Sequence, residues 1–473
     1  MSYVPGWRIT RLEELCDINP PRPNLAGVAD ATDVLFVPMA AVDGGSGTIA
    51  SPGRSTVGAV GHKSYRSFAP GDIIFAKITP CMENGKAAVV PPIPNGLGFG
   101  STEFHVLRPK PGTNARLIWH LVRQRVFREE AAQHFAGTVG QLRVPAEFLK
   151  SFEVVVPADP ALQARLADFL DAAVNIAASA SARLARSERK VGQFRQAVLA
   201  AACSGRLTAD WRADNDPGES ASDLVARIEL LRKSGRVTRS KPTVGPDGDL
   251  ELPDRWTWTS VGALIDVATG ATPLRTRAYY YGGSIPWVTS GAVNAGLITE
   301  ATEFITARAL GETNAKIFPP GTLLVAMYGE GQTRGRVAEL GIAAATNQAV
   351  AALVFDQTNE ALRDYIRLYF QENYERIRQL AFGGVQPNLS LGVIRDTMVP
   401  LPPIDEQQEI VRRVLRLSEL ANGIAGHVEA ALGRADRTSQ AILAKAFRGE
   451  LLPRRMSNCS LADFTMGVFR GSD

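Results

Sequence analysis

The sequence predicts an α+β protein: two tandem α/β heads separated by a long antiparallel two-helix coiled-coil spacer, the whole a pseudo-twofold internal repeat. Three observations carry this. Short segments recur in one order at a nearly constant offset. One long stretch in each half keeps a seven-residue apolar rhythm. Short apolar runs behind Pro-Gly turns fill the remainder.

The repeat comes first. FAPGDIIFAKI from Phe68 matches FPPGTLLVAMY from Phe318, and GKAAVV from Gly85 matches GRVAEL from Gly335, both 250 positions apart. LFVPMAAVDGG from Leu35 answers to PWVTSGAVNAG from Pro286, and VPGW from Val4 to LPDRW from Leu252. VVVPADPALQARLADFL from Val154 is a weaker copy of VPLPPIDEQQEIVRRVL from Val399, and AVLAAACSGRL from Ala197 matches AILAKAFRGEL from Ala441. Two unrelated domains sharing common local patterns would not keep both order and spacing. Within each half, DIIFAKI and TLLVAMY read as buried strands, and RLIWHLVRQRVFREEAAQHF and DYIRLYFQENYERIRQL as one helix each.

The long helices follow. After Asp159-Pro160, a cap with proline in the first helical position, apolar or small residues fall at Leu162, Leu166, Phe169, Ala173, Ile176 and Ala180. After a four-residue slip they resume at Leu184, Ser187, Val191, Phe194, Val198 and Ala201. The second helix gives Ile410, Val414, Leu417, Ala421, Ile424, Val428, Ala431, Ala435, Thr438 and Ile442. Both end at a glycine, Gly205 and Gly449, the usual left-handed stop. Each is a rod of roughly 65–70 Å at about 1.5 Å per residue. Neither buries its seam alone, so they pair, antiparallel, as a stiff spacer between the heads. The boundaries expected are 1–155 and 252–400 for the heads, 156–212 and 401–455 for the long helices, 213–251 for a linker with a short helix, and 456–473 for a loose tail.

Composition bounds the function. The 473 residues carry a net charge of +4, are 45% hydrophobic and 21% charged, and fit a soluble globular protein of two or more domains. Cys16, Cys81, Cys203 and Cys459 form no CxxC pair, which argues against a zinc site or disulfide framework and fits a reducing compartment. The start, MSYVPGWRITRLEEL, has no apolar signal core, and no run of about 18 apolar residues could span a bilayer. A cytoplasmic protein is expected. No complete catalytic constellation is present. NPPR at Asn19–Arg22 has arginine where a base-holding methyltransferase motif needs an aromatic ring, no FxGxG loop accompanies it, and it reads as a turn. His62, His105, His120, His134 and His427 lack metal-ligand spacing, and GEGQTRG at Gly329–Gly335 lacks the Lys-Ser/Thr ending of a P-loop.

What the heads do carry is loops of basic, amide, hydroxyl and aromatic side chains between apolar strands. Arginine and lysine hold phosphates or guanine edges, asparagine and glutamine read adenine, and hydroxyls reach either. The DNA-binding candidates in the first head are Lys63, Arg66, Lys77, Thr79, Asn84, Lys86 and Gln141. In the second they are Arg275, Arg277, Tyr280, Ser290, Asn294, Tyr328, Gln332, Arg334, Arg336 and Gln386. Strand cores match between the halves while loops differ, AKITPCMENGK against AMYGEGQTRGR most clearly, as a reader of two different short sequences requires.

LPPIDEQQEIV opening the second long helix, AFRGELLP closing it, ELPDRWTW opening the second half, and PGTLLVAM before a glycine-rich turn resemble the specificity subunit of type I restriction–modification enzymes. The resemblance covers nearly the whole chain. It is weaker in the first half, where Pro-Leu-Pro-Pro becomes Val-Val-Pro-Ala while Gln163 matches Gln408. It implies that each head is a target recognition domain reading one half-site of a bipartite, asymmetric double-stranded DNA target, with the helices fixing the gap. It implies as partners two adenine-N6 methyltransferase subunits, which bind S-adenosylmethionine, and restriction/translocase subunits, which use ATP and Mg. The chain itself would bind no cofactor and no metal and perform no chemistry. Asp405 and Gln408 are expected to cap the helix, leaving Glu406 and Gln407 exposed to dock a partner. Alternatives are the specificity subunit of a related bipartite system with a fused methyltransferase–nuclease, a self-sufficient DNA methyltransferase, and a coiled-coil protein-interaction adaptor.

Overall fold

The computed structural model describes residues 6–138, 141–216, 218–232, 251–329, 332–355, 359–380 and 388–451. The chain divides into two compact units, one of Met1–Ser187 with Val428–Asp473, the other of Glu188–His427. Among the described residues no helix is long and apolar enough to cross a membrane.

In the first unit the run Ile73–Ala76 is buried on both faces and occupies an inner position of a four-stranded sheet, in the order Cys16–Ile18, Phe104–Pro109, Ile73–Ala76, Ala87–Val89. Alternate side chains of a strand point to opposite faces. Ile73 and Phe75 therefore join a core with Leu117, Leu121 and Phe127 of the head helices. Ile74 joins Val37, Phe68 and Phe104, against a second sheet ordered Gly53–Thr56, Asp33–Val37, Gly98–Gly100, Arg66–Phe68. The second unit repeats this plan with a fifth strand, Leu297–Ile298, added to the edge of the corresponding sheet. Leu323 and Val325 face Leu362 and Tyr365, while Leu324 and Ala326 face Val288 and Phe318. Its sheets run Asp266–Thr269, Val350–Val354, Leu323–Ala326, Val337–Leu340, Leu297–Ile298, and Glu303–Ile305, Tyr281–Val288, Ala344–Thr346, Ile317–Phe318. The Pro-Gly turns ahead of the inner strands place Gly71 at φ 83° and Gly321 at φ 84°, a left-handed conformation that suits glycine.

The single head helix expected in each half is two helices. The first breaks at Gln124 (φ −59°, ψ 141°) between Ala115–Arg123 and Arg125–Gln133. That extended residue redirects the chain so that Phe127 and Ala131 reach the core. The second breaks at Asn373 between Glu360–Glu372 and Tyr374–Gln379, where the asparagine amide donates to the Tyr369 carbonyl at 3.1 Å and ends the helix locally.

The long helices are Pro160–Cys203 and Ile404–Ala446. Asp159 caps the first, its carboxylate accepting from the Ala161 N–H at 3.0 Å. The second departs from expectation. Pro402 and Pro403 end the strand Met398–Leu401, and the Gln407 N–H donates to the Pro403 carbonyl at 2.9 Å. Pro403 thus holds the cap position, Asp405 lies inside the first turn, and no Asp405–Gln408 capping box forms. Gly205 (φ 73°) and Gly449 (φ 74°) stop both helices as expected.

Each unit is completed by the far end of the other half's helix. In the first unit Ile442, Leu443, Ala446, Phe447 and Leu451 share a core with Leu166, Ala167, Leu170 and Ala173. In the second, Val198, Ala202 and Cys203 share one with Ile410 and Val414. There Arg195 donates to Asn422 at 2.8 Å and Arg413 to the Leu207 carbonyl at 2.8 Å, so one helix ascends as its neighbour descends: the pairing is antiparallel. Of the expected seam, Ile176, Phe194, Ile424 and Thr438 stay exposed. The short helix expected after the first long one is Ala221–Arg232, begun by a reciprocal Ser220–Asp223 cap. Its Ala221, Leu224 and Ile228 lie in the second unit's core beside Trp256.

Candidate nucleic-acid interface

The loops beyond the inner strands of the first unit are stitched to one another through the backbone. The Lys77 N–H donates to the Glu103 carbonyl at 2.9 Å, Thr79 N–H to Leu142 at 3.1 Å, and Ile78 pairs with Arg143. Lys86 extends its ammonium to the Met39 carbonyl at 3.1 Å. Gly44 packs so closely on the Asn84 carbonyl that an added Cβ would lie 2.3 Å from its oxygen. Loops 38–48, 77–86 and 101–103, with residues 137–138 and 141–143, therefore form one surface, which includes a cis Thr79–Pro80 bond.

Its charges are held rather than loose. Arg143 forks onto Glu103, Nε at 2.8 Å and Nη2 at 3.1 Å, and its Nη1 donates to the Gln141 carbonyl at 2.8 Å. Those bonds hold the Glu103 carboxyl below the usual carboxylate range against the opposing effect of burial. Lys77 stands 4.0 Å from Glu103, and its ammonium is pulled down by burial and by Arg66 and Arg143 nearby, with Glu103 opposing. Beneath them His105 is buried. Its Nε2 lies 2.8 Å from the Val144 carbonyl and its Nδ1 2.9 Å from the Asn19 amide, a neutral imidazole's pattern of one donor and one acceptor. Burial pushes its pKa down to about 4. The NPPR segment bends at Asn19 (φ 52°) and runs on as an irregular loop, with Arg22 tied to the Tyr65 carbonyl at 2.6 Å.

Of the first-head candidates, Lys63, Asn84 and Gln141 are exposed, and Arg66, Lys77, Thr79 and Lys86 are half-buried, Thr79 bonded to Glu83. Two supporting residues were not singled out. Arg123 reaches into loop 43–48 to donate to the carbonyls of Gly44 (2.9 Å), Gly45 (2.6 Å) and Ser46 (3.0 Å), and lies 4.6 Å over the Trp119 ring. Trp119 donates to Gly47 and Ala87, both at 3.1 Å. Their spacing of four on one helix is the signal that sequence offers, and it does not reveal the loop they hold.

In the second unit a matching surface forms where strands Tyr281–Val288, Leu323–Ala326 and Ala344–Thr346 end. Asn294 donates to Thr333 at 3.1 Å, Gln332 accepts from Arg336 at 3.0 Å, and the Tyr328 and Met327 N–H groups share the Ala349 carbonyl. Asn294, Tyr328 and Gln332 are exposed; Ser290, Arg334 and Arg336 are half-buried. Arg275 and Arg277 lie on a separate exposed loop. Arg275 pairs with Glu303 at 2.6 Å and stacks on Tyr281 (4.6 Å) and Trp287 (5.2 Å). Tyr280 is a correction: its ring is buried, 2% exposed, and its hydroxyl accepts from Arg277 and donates to Glu312, each at 2.9 Å, so it supports Arg277 and offers no stacking face. Gln386 lies outside the described residues.

Glu406 and Gln407 are a second correction. Both are fully buried, so neither is available to dock a partner. Glu406 accepts from the Thr208 hydroxyl at 2.6 Å, from the Trp256 Nε1–H at 2.7 Å and from Arg212. Gln407 donates to the Pro402 carbonyl at 2.8 Å. Gln163 does the same to Pro157 at 3.0 Å, and its N–H bonds Asp159 as that of Gln407 bonds Pro403. The structural counterpart of Gln163 is therefore Gln407, one residue from the expected Gln408: Gln163 lies six residues past its proline acceptor and Gln407 five.

A head written twice on one strand plan, with dissimilar polar loops at matching strand ends, defines a tandem scaffold presenting two different polar loop surfaces. The chain belongs to the family of the type I restriction modification DNA specificity domain, whose model matches residues 5–186 and 253–431. It is 28% identical over 310 residues to the specificity subunit of the type I restriction enzyme EcoEI of Escherichia coli, covering 55% of this chain and 50% of that protein. It thus spans about half the length of that curated relative. To the EcoKI specificity subunit of Escherichia coli strain K12 it is 26% identical over 443 residues, covering 90% of this chain and 80% of the other. In fold it is similar to a chain of a solved type I R-M system, with a TM-score of 0.65 at 21% identity, covering 95% of this chain and 100% of that one.

Proposed function

We propose that the chain is a non-catalytic specificity subunit that reads a bipartite, asymmetric DNA target, one half-site per head, with residues 1–155 and 252–400 as the target recognition domains. The observation that carries this is the contrast within the repeat. The two units share strand order and core register, while the loops at the same strand ends carry different side chains, an acid-tied Lys77 and Arg143 in one and Asn294, Gln332 and Arg336 in the other. Loop cations hold phosphates and make binding depend on salt. Amide and hydroxyl groups supply direct contacts to base edges. The long helices would set the half-site gap, by the geometry that fixes half-site spacing in dimeric repressors.

In this reading the subunit works in the cytoplasm, directing two adenine-N6 methyltransferase subunits and a restriction/translocase subunit to the site. S-adenosylmethionine, ATP and Mg belong to those partners. The test is to replace residues 1–155 with the corresponding head of another member and map the methylated adenines on a target library with the methyltransferase present. One half-site changes and the other stays. If both change, the heads are not modular readers.

A further inference from the structure

We propose that Glu406, Thr208, Arg212 and Trp256 form a pairing lock: they decide which helix end completes which unit, and so keep this repeated chain from pairing with a second copy of itself. The proposal does not rest on DNA reading.

The need for such a lock follows from the repeat. Each unit is finished by a helix end from the other half, and the two visiting ends are alike. Val198 and Ala202 in one correspond to Ile442 and Ala446 in the other, and all four are buried in their host cores. Apolar packing is non-directional and tolerates swaps of similar volume. On that basis alone, the second half of one copy could host the second helix end of another copy, and the first half likewise, giving symmetric like-with-like pairs.

The polar cluster removes that freedom. Glu406 has no exposed surface, and its carboxylate has three donors from segments far apart in sequence. Arg212 is braced in turn by the Gly205 carbonyl at 2.7 Å and the Thr208 hydroxyl at 3.2 Å, and lies 5.9 Å over the Trp256 ring. The first unit keeps the tryptophan, Trp7 answering to Trp256, but not the acid, the hydroxyl or the guanidinium at the matching sequence positions. The residue before Gln163, where Glu406 stands before Gln407, is Leu162. At the offset that relates Val198 to Ile442, Thr208 and Arg212 answer to Leu452 and Met456. A second helix end offered to the second unit has no hydroxyl or guanidinium at the sequence positions that answer to Thr208 and Arg212, so the buried carboxylate would lose both donors. A first helix end entering the first unit would bring Arg212 to a leucine. Both wrong pairings bury a charge without its partner, the arrangement that costs most in a protein interior. The correct pairing is the one that satisfies every member. A single buried polar group plays this register-setting part in coiled coils.

The test uses the full-length chain carrying either of two affinity tags, mixed after a mild denaturation–renaturation cycle, with mixed-tag capture and light-scattering mass as readouts. The wild type is expected to stay monomeric and yield no mixed complexes. The triple variant Thr208→Leu, Arg212→Met, Glu406→Leu, which sets at each position its sequence counterpart (Leu452, Met456 and Leu162), is expected to form mixed dimers with an association constant raised at least about a hundredfold. A cooperatively folded triple variant as monomeric as the wild type overturns the proposal, as does a wild type that dimerises equally well. A second pair covers failure to fold. Glu406→Arg and Arg212→Glu chains each set like charges together, yet complement one another across two copies. Mixing them is expected to yield dimers bearing both tags that neither gives alone, and absence of such dimers also refutes the lock.

Discussion

Gln163 and Gln407 stand at the same point of their units, the first turn of a long helix, each donating to a proline carbonyl, yet the two helix starts are fastened by different chemistry. In the first unit the Gln163 side-chain Oε1 accepts from the Asn114 N–H at 3.0 Å, and the helix is held further along by Asp171, 2.7 Å from His120 Nε2 and paired with Arg116. Burial pushes His120 down, while the bonds from His120 and Arg116 overcome burial to hold the Asp171 carboxyl below its ordinary range. In the second unit Tyr365 and Tyr369 tie the head helix to the strand Met398–Leu401 instead, and the long helix is secured by Glu406. The shared apolar framework fixes where the helices lie. The polar fastenings, free to diverge, give each unit its own response to mutation and pH.

The largest expected effect breaks the comparison at Glu406. Glu406→Leu leaves Arg212 and Thr208 without their acceptor and should cost the second unit about 3–5 kcal/mol. Hydrogen exchange followed by mass spectrometry should show faster opening across Glu188–His427 and little change in the first unit; equal loosening of both would remove the distinction.

Next comes acid. His105 titrates near 6.5 in the unfolded chain and at about 4 when folded. As pH falls, the unfolded state takes up the proton first. The first unit's stability is therefore full above about pH 6.5 and lost progressively toward pH 4, by about 3 kcal/mol. The second unit's one histidine, His427, is exposed. Burial raises the carboxyl of Glu372 there, a shift of opposite sense that adds stability on acidification. Urea unfolding from pH 7 to 4 should show the first unit weakening selectively, and His105→Gln should flatten its profile.

The smallest effect sharpens the comparison at the caps. Asp159→Ala removes a side-chain cap and should cost about 1 kcal/mol. Asp405→Ala removes only an exposed charge from the first turn and should cost about 0.3 kcal/mol. Matched changes in urea midpoint would show that the two starts are alike after all.

Much of this was legible in the sequence. The doubled order, the inner strands behind Gly71 and Gly321, the Asp159 cap and the glycine stops all rest on local or periodic signals, and the structure has them. The fastenings were not legible. An acid in a helix's first turn, as Glu406 is, reads as a dipole-matched surface charge, and its donors lie up to 198 residues away in sequence. Tyr280 sits in a run of three tyrosines whose loop setting conceals that one turns inward. The one-residue difference between Gln163 and Gln407 is invisible until hydrogen bonds show where each helix begins. Among the recognition candidates, residue type and loop position brought most to the two strand-end surfaces. Sequence could not show that Glu103 and Arg123, which hold those loops in shape, belong with them.

The interleaving of the halves has a consequence for synthesis. The first unit's final segment begins at Val428, so about 240 residues must leave the ribosome after Ser187 before it can close, about 10–50 s at about 5–20 residues per second. Through that interval Leu166, Ala167, Leu170 and Ala173 of the nascent chain have no covering strip. The head translated earliest is the last to be sealed.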